Sequence, residues 1–249
     1  MSLERAVGRV LHHLSDGQVE ALAAVCDTGP GAGAALSASV VGGTVASREA
    51  VKALATEWAA SDGFTGPGIA LALRVGLLAR VDARARRALP VWTGPGATGE
   101  QRLTASVLHE LVAGARERIL LVSYAAYTLS DLAADLADAV ARDCTVDVVF
   151  ETEEDSSGGY HGPHSTPFGA VEGIRRWRWP ADQRPAGAAL HAKLLVVDGC
   201  RALLGSANLT HRALSANLEA GLLVRDPEVA GELESHVLGL MKAGALETS

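Results

Sequence analysis

The sequence predicts an α/β protein, a mixed β-sheet flanked by helices and preceded by an α-helical N-terminal domain. Three observations predict it. Residues 1–88 carry helical apolar spacing interrupted by Gly-rich breaks, strand-like and helix-like runs alternate from Pro90 onward, and three consecutive strand-like runs bear polar pairs spaced i, i+2 at their ends. The reading divides the chain into a helical domain over residues 1–88 and a layered α/β domain over residues 89–249.

In the first part, residues 3–14, 17–26, 47–60 and 69–89 repeat apolar side chains at helical intervals, with Asp16 and Ser47 as N-caps. Gly29-Pro30-Gly31 and the stretch from Gly63 to Gly68 separate them as turns. Arg80, Arg84, Arg86 and Arg87 gather near the end of the last helix. They suit either a polyanion backbone or the negative end of the helix dipole.

From Pro90 the pattern changes. Val91-Trp92 opens the sheet, residues 100–115 are helical, 119–123 form a buried strand and 131–142 a helix with Asp131 near its start. Residues 146–150 and 174–179 read as strands, followed by runs at 190–197, 202–204 and 220–224 and a final helix over 227–242. The long loop 156–169 reads as a flap; His161 and His164 within it have a metal-permitting spacing, but a zinc site is the lesser reading.

The chemistry concentrates in the last third. His191, Lys193 and Asp198, followed by Gly205-Ser206-Ala207-Asn208, spell H-x-K-x4-D-x6-G-S-x-N. On a strand, alternate side chains share a face, so His191 and Lys193 point together while Asp198 points the other way. Although Asp198 belongs to the motif and so to the candidate catalytic set, it is expected at the turn, accepting backbone N–H groups. Ser206 with Asn208, and Asn217 with Glu219, repeat the pairing on the next two strands.

These residue types suit phosphoryl transfer. An ammonium and a carboxamide stabilise the equatorial oxygens, and an imidazole attacks phosphorus or donates a proton to the leaving oxygen. A carboxylate such as Glu219 behind the ring would fix its tautomer. The set requires no metal and no cofactor, and the enzyme it describes cleaves phosphodiesters.

The pattern resembles the signature of the phospholipase D superfamily without a departure. That resemblance implies a phospholipase D-like sheet, a phosphohistidine at His191, phosphate held by Lys193 and Asn208, and support from Ser206 and Glu219. In that family two motifs meet across a two-fold axis, and no other histidine here has a lysine two places on. The resemblance therefore implies a homodimer with both copies of His191 at its interface. The helical first part, the single motif and Trp92-Thr-Gly-Pro95 at the junction also resemble the phospholipase D-like component of bacterial DISARM anti-phage systems. This implies a nuclease on DNA, or an accessory of a defence complex with other protein partners. A lipid head-group phosphodiesterase and a non-catalytic nucleic-acid-binding subunit are the alternatives.

Charge and composition bear on substrate and compartment. From Ile174 to Arg212 there are seven Lys/Arg against two Asp/Glu, in a chain of net charge −7, and Arg176 and Arg178 would share a strand face backed by Trp177 and Trp179. They are candidate substrate-binding residues, with Asn217, for a polyanion. The competing reading pairs them with the acidic run Glu151-Thr-Glu-Glu-Asp155, which otherwise reads as a solvated loop. Three scattered cysteines, Cys26, Cys144 and Cys200, indicate neither a disulfide framework nor a zinc site. With neither a signal-peptide pattern nor an apolar run of about 18 residues, a cytoplasmic protein without membrane attachment is expected.

Overall fold

A computed structural model describes residues 1–29, 43–94, 102–124, 129–156 and 166–249, and the chain divides into two compact units, Met1–Ala85 and Arg86–Ser249. Of the expected flap over 156–169, residues 157–165, with His161 and His164, lie outside the described residues.

The first unit is built from helices α1 (Leu3–His13), α2 (Asp16–Asp27), α3 (Val45–Ala59) and α4 (Gly66–Arg86). Their N-caps differ from the expected ones. Ser15 caps α2 in a reciprocal box with Gln18, and Thr44 caps α3, so Asp16 and Ser47 already lie inside their helices. Ser47 instead donates to the carbonyl of His13, tying α3 to the end of α1. Gly66 opens α4 where a Cβ would stand 2.1 Å from the carbonyl oxygen of Cys26, so only glycine permits that approach. Val10, Leu22, Leu54 and Leu73 make the core of this unit. Of the basic cluster only Arg80 is turned inward: it donates to the carbonyls of Leu11 and Leu14 and, with Arg84, to Asp16, while Arg84, Arg86 and Arg87 are exposed. Arg80 thus caps the end of α1, and it shares the single Asp16 carboxylate with Arg84, whose side chain stays exposed.

The second unit is a nine-stranded mixed sheet. Its strands are β1 (Leu89–Thr93), β2 (Arg102–Leu103), β3 (Arg118–Ser123), β4 (Thr145–Phe150), β5 (Arg175–Arg178), β6 (Leu194–Val197), β7 (Arg201–Gly205), β8 (Glu219–Val224) and β9 (Glu247–Thr248). They run in the order β2-β1-β8-β7-β6-β3-β4-β5-β9. The pairs β1–β2, β3–β4 and β4–β5 are parallel, and the rest antiparallel. Between them lie α5 (Thr104–Ala113), α6 (Ser130–Ala141), the short α7 (His211–Ser215) and α8 (Pro227–Lys242). This is the α/β class that the alternation predicted, and α8 has the bounds expected of it.

Alternation along the strands explains the three layers. Ile119, Leu121, Val146, Val148, Leu195, Val197 and Leu203 pack with Leu108, Leu111, Leu132 and Leu136 of α5 and α6 on one face. Leu120, Val122, Val149, Val196 and Ala202 meet Ala230, Leu233 and Val237 of α8 on the other. A strand buried on both faces needs apolar residues at both parities, which is why β3 reads as an unbroken apolar run. β2, β9 and α7 were not expected, since two-residue strands and a five-residue helix fall below any periodicity window.

Candidate functional site

Because β3 and β6 are antiparallel, as are β6–β7 and β7–β8, four chain ends meet at one edge of the layer: the C-terminal ends of β3 and β7 and the N-terminal ends of β6 and β8. His191 and Lys193 stand just before β6, Ser206 and Asn208 just after β7, and Asn217 and Glu219 at the head of β8. The topology thus gathers at one edge the three polar pairs recognised in the sequence. The expected strand 190–197 is shorter than its apolar run, however. Leu190 donates its N–H to the Glu151 carboxylate instead of to a neighbouring strand, so His191 lies ahead of the ladder, while Lys193, just before β6, is tied to β7 through its carbonyl, which accepts the Gly205 N–H at 3.4 Å.

Glu219 anchors the polar end of β8. One of its carboxylate oxygens accepts the Ser206 hydroxyl, and the other accepts the Asn217 amide at 3.1 Å. These bonds of the carboxylate run along β7 and β8 and order Ser206 and Asn217. Asn217 correspondingly serves Glu219. The close pairing of Gly205 with Gly221 permits this, since a Cβ on either would press within 2.8 Å of the opposite backbone. Asn208 carries a buried Oδ1 with no hydrogen-bond partner among the described residues, and the next residue, Leu209, is tethered through its N–H to Ser123 Oγ.

Lys193 folds back so that its ammonium donates to the carbonyl of His191 at 2.8 Å and lies 5.7 Å from the centre of the Tyr124 ring. Burial pushes its pKa below the ordinary lysine value, and the Glu219 carboxylate partly opposes the shift. The Tyr124 ring stands 5.2 Å from the His191 imidazole, tilted by 52°. Sequence reasoning missed Tyr124. An aromatic residue at the end of a buried strand is an available signal, but the pairing of β3 with β6 that brings it opposite the histidine is a tertiary fact. An exposed imidazole beside a partly desolvated ammonium is a pairing able to receive a phosphoryl group: one group for attack, the other for its negative oxygens.

Asp198 is absent from this edge. It sits at the opposite end of β6 in the β6–β7 turn, with φ 54°, beside Gly199 at φ 59°, as a primed hairpin turn requires. Its carboxylate accepts the backbone N–H groups of Arg116, Glu117 and Arg118 at 2.8–3.2 Å, fixing the entry of β3. The catalytic assignment of Asp198 is thus corrected to a structural one, as the strand alternation anticipated. Asp198→Ala is expected to lower stability by about 3 kcal/mol through its lost charged hydrogen bonds, or roughly 6–12 °C in Tm. Turnover of the folded protein should remain within a factor of about three of wild type. Calorimetry with an activity assay below the transition checks both.

Arg176 and Arg178 are also corrected. The Arg176 guanidinium donates to the carbonyls of Pro167, Phe168, Val171 and Ile174, and Arg178 pairs with Asp155 and Glu247. Arg175 is bound by buried Asp147, and Arg184 by Glu151. These four arginines of the basic stretch are thus engaged by carboxylates and carbonyls of the fold. By the same pairings the acidic run is solvated only in part: Glu151 and Asp155 are 1% and 5% exposed, while Glu153 and Glu154 face solvent. Among the described residues no cluster of three metal-ligating side chains occurs, and no described helix is long and apolar enough to cross a membrane.

Residues 108–241 match the family model described as cardiolipin synthase, PLD-like domain. Cardiolipin synthase A of Pseudomonas fluorescens is 33% identical over 132 residues, covering 52% of this chain, so the chain spans about a quarter (26%) of that relative's length. Similar solved structures include Nuc of Salmonella typhimurium, a phospholipase D family member, with TM-score 0.49 and 16% identity over 66% of this chain and 97% of that one. A second is phosphatidylserine synthase of Haemophilus influenzae, with TM-score 0.48 and 14% identity over 72% of this chain and 47% of that one. The family match takes in more than half of the chain and runs through every strand end that carries the polar pairs; this chain belongs to the phospholipase D superfamily.

Proposed function

We propose that the chain is a metal-independent phosphodiesterase that works in two steps through a phosphohistidine at His191, in a homodimer that brings two copies of that residue to one site. The observation that carries the reading is the gathering of His191, Lys193, Ser206 and Glu219 at one sheet edge, with Lys193 lying between the His191 carbonyl and the Tyr124 ring. In the first step an imidazole nitrogen of His191 attacks phosphorus. The P–O bond to the leaving group breaks, and the leaving oxygen takes a proton from the imidazolium of His191 of the partner subunit. In the second step that imidazole removes a proton from water, the hydroxide oxygen bonds to phosphorus and the N–P bond breaks. Lys193 and Asn208 hold the phosphoryl oxygens throughout, and the Ser206–Glu219–Asn217 chain of hydrogen bonds keeps the edge ordered.

For the substrate we propose DNA, in the restriction of foreign genomes. Support comes from the helical first unit and the single motif, the features shared with the DISARM component, together with an open histidine that a long polymer can reach. The inward-turned arginines remove the support that a basic strand face would have lent. A lipid head-group reading has its own observations: the curated relative is a cardiolipin synthase, and Leu218 is 78% exposed between Asn217 and Glu219 at the site's rim. Assay of single-stranded DNA, duplex DNA and phosphatidylcholine vesicles in EDTA, with His191→Ala as control, tests the choice. DNA turnover that survives EDTA is expected, and turnover of lipid alone reverses the substrate. Sedimentation equilibrium is expected to give twice the 25.7 kDa chain mass; an active protein that stays at the single mass contradicts the shared site.

A further inference from the structure

The residues just before the motif are held by two carboxylates from a different part of the chain. β4 ends at Phe150, on the same edge of the sheet as the candidate site, and Glu151 follows it directly. Glu151 is buried, and its two oxygens accept both terminal nitrogens of Arg184 at 2.9 Å each. One of those oxygens also accepts the N–H of Leu190 at 2.9 Å, one residue before His191. Arg184 is itself 3% exposed, lies over the Trp179 ring, and donates to the carbonyls of Trp179, Pro180 and Ala188. Asp155 fastens the other end of the loop, accepting the N–H of Ala181 at 3.0 Å and the guanidinium of Arg178. The segment from 181 to 190 is thus clamped at both ends, and beyond it His191 and Ala192 run outside any strand ladder.

A fully buried ion pair is a poor source of stability, because desolvating both charges cancels most of their attraction. It does hold a geometry with little tolerance, since both planar groups are bidentate and every remaining polar atom has one acceptable place. Here the held geometry is the backbone immediately before the histidine. The first bond from the sheet comes only after the histidine, from the Gly205 N–H to the Lys193 carbonyl at 3.4 Å. We infer that Glu151 and Arg184 form the positioning device of the site, setting the backbone of Leu190 so that the His191 ring is aimed for attack.

The inference rests on the proposed role of His191, so its test needs one readout that does not depend on turnover. In the full-length protein with 13C-labelled histidine, the His191 ring resonance is identified by its loss in His191→Ala. It is expected as a single sharp signal in the wild type. In Glu151→Leu it should broaden or split, while signals of the other seven histidines hold their positions. Glu151→Gln retains an acceptor for the Leu190 N–H and should restore most of the single signal, which keeps the test alive if the leucine variant folds poorly. In kinetics, misplacement of the ring by about 1 Å predicts a fall of roughly 100-fold in kcat with KM within about threefold. Asp198→Ala serves as the comparison: a variant destabilised elsewhere, with the ring signal and kcat unchanged. A Glu151→Leu protein whose melting temperature falls but whose His191 signal and kcat match Asp198→Ala overturns the inference. A normal ring response in a protein that cleaves no phosphodiester overturns the proposed reaction instead and leaves the positioning role standing.

Discussion

His191→Ala is expected to abolish turnover, with kcat lower by about 10⁴- to 10⁶-fold. The size of the loss follows from the two-step route: without the nucleophile no covalent intermediate forms, and in a dimer the same substitution also removes the group that protonates the leaving oxygen. The side chain is exposed and its recorded neighbour among the described residues is the Tyr124 ring, so the melting temperature should change little. This separates a chemical loss from a folding loss. A His191→Ala protein that retains a tenth of wild-type turnover would remove the histidine from the chemistry. Steady-state kinetics with circular dichroism on the same samples are sufficient to check it.

Lys193→Ala comes second, with an expected loss of roughly 10²- to 10³-fold in kcat, the range for deleting one donor to a developing oxyanion. Lys193→Arg should recover only part of it. The guanidinium fork is wider than the ammonium and cannot keep both the His191 carbonyl and the Tyr124 ring as neighbours. The pH dependence carries a sign. Burial holds Lys193 below the ordinary lysine range, and the phosphate needs it charged, so activity should fall on the alkaline side earlier than an exposed lysine would dictate. Glu219 raises that pKa, so Glu219→Gln should move the alkaline limb to still lower pH. A limb that moves upward, or does not move, would show that Lys193 is not the group titrating.

The parts of this fold that can be read from sequence are those where local pattern and tertiary role coincide. The final helix, α8, is the clearest case: Asp226 accepts the N–H of Glu228, Pro227 starts the helix, and Lys242 stands in its last turn. The polar pairs are legible for a related reason, since a period of two says which side chains share a face and short links say that neighbouring runs pair. What stays hidden is partnership across the sheet. Alternation separates Arg176 and Arg178 from Trp177, but only the parallel pairing of β4 with β5 reveals that Asp147 and Asp155 wait beside that strand. The run from Glu151 to Asp155 looks solvated because its composition is polar, yet two of its carboxylates turn into the fold to meet arginines 23 and 33 positions later. The same long separation conceals Tyr124, which reaches His191 only because β3 lies next to β6.

The most direct measurement is a rapid-quench experiment in EDTA with a phosphodiester carrying radiolabelled phosphorus, followed by peptide mapping. Label bound covalently to the peptide containing His191, lost in acid, stable in alkali and absent from His191→Ala, is the predicted result. Turnover with no label on the protein at any time, or label on another residue, would contradict the account.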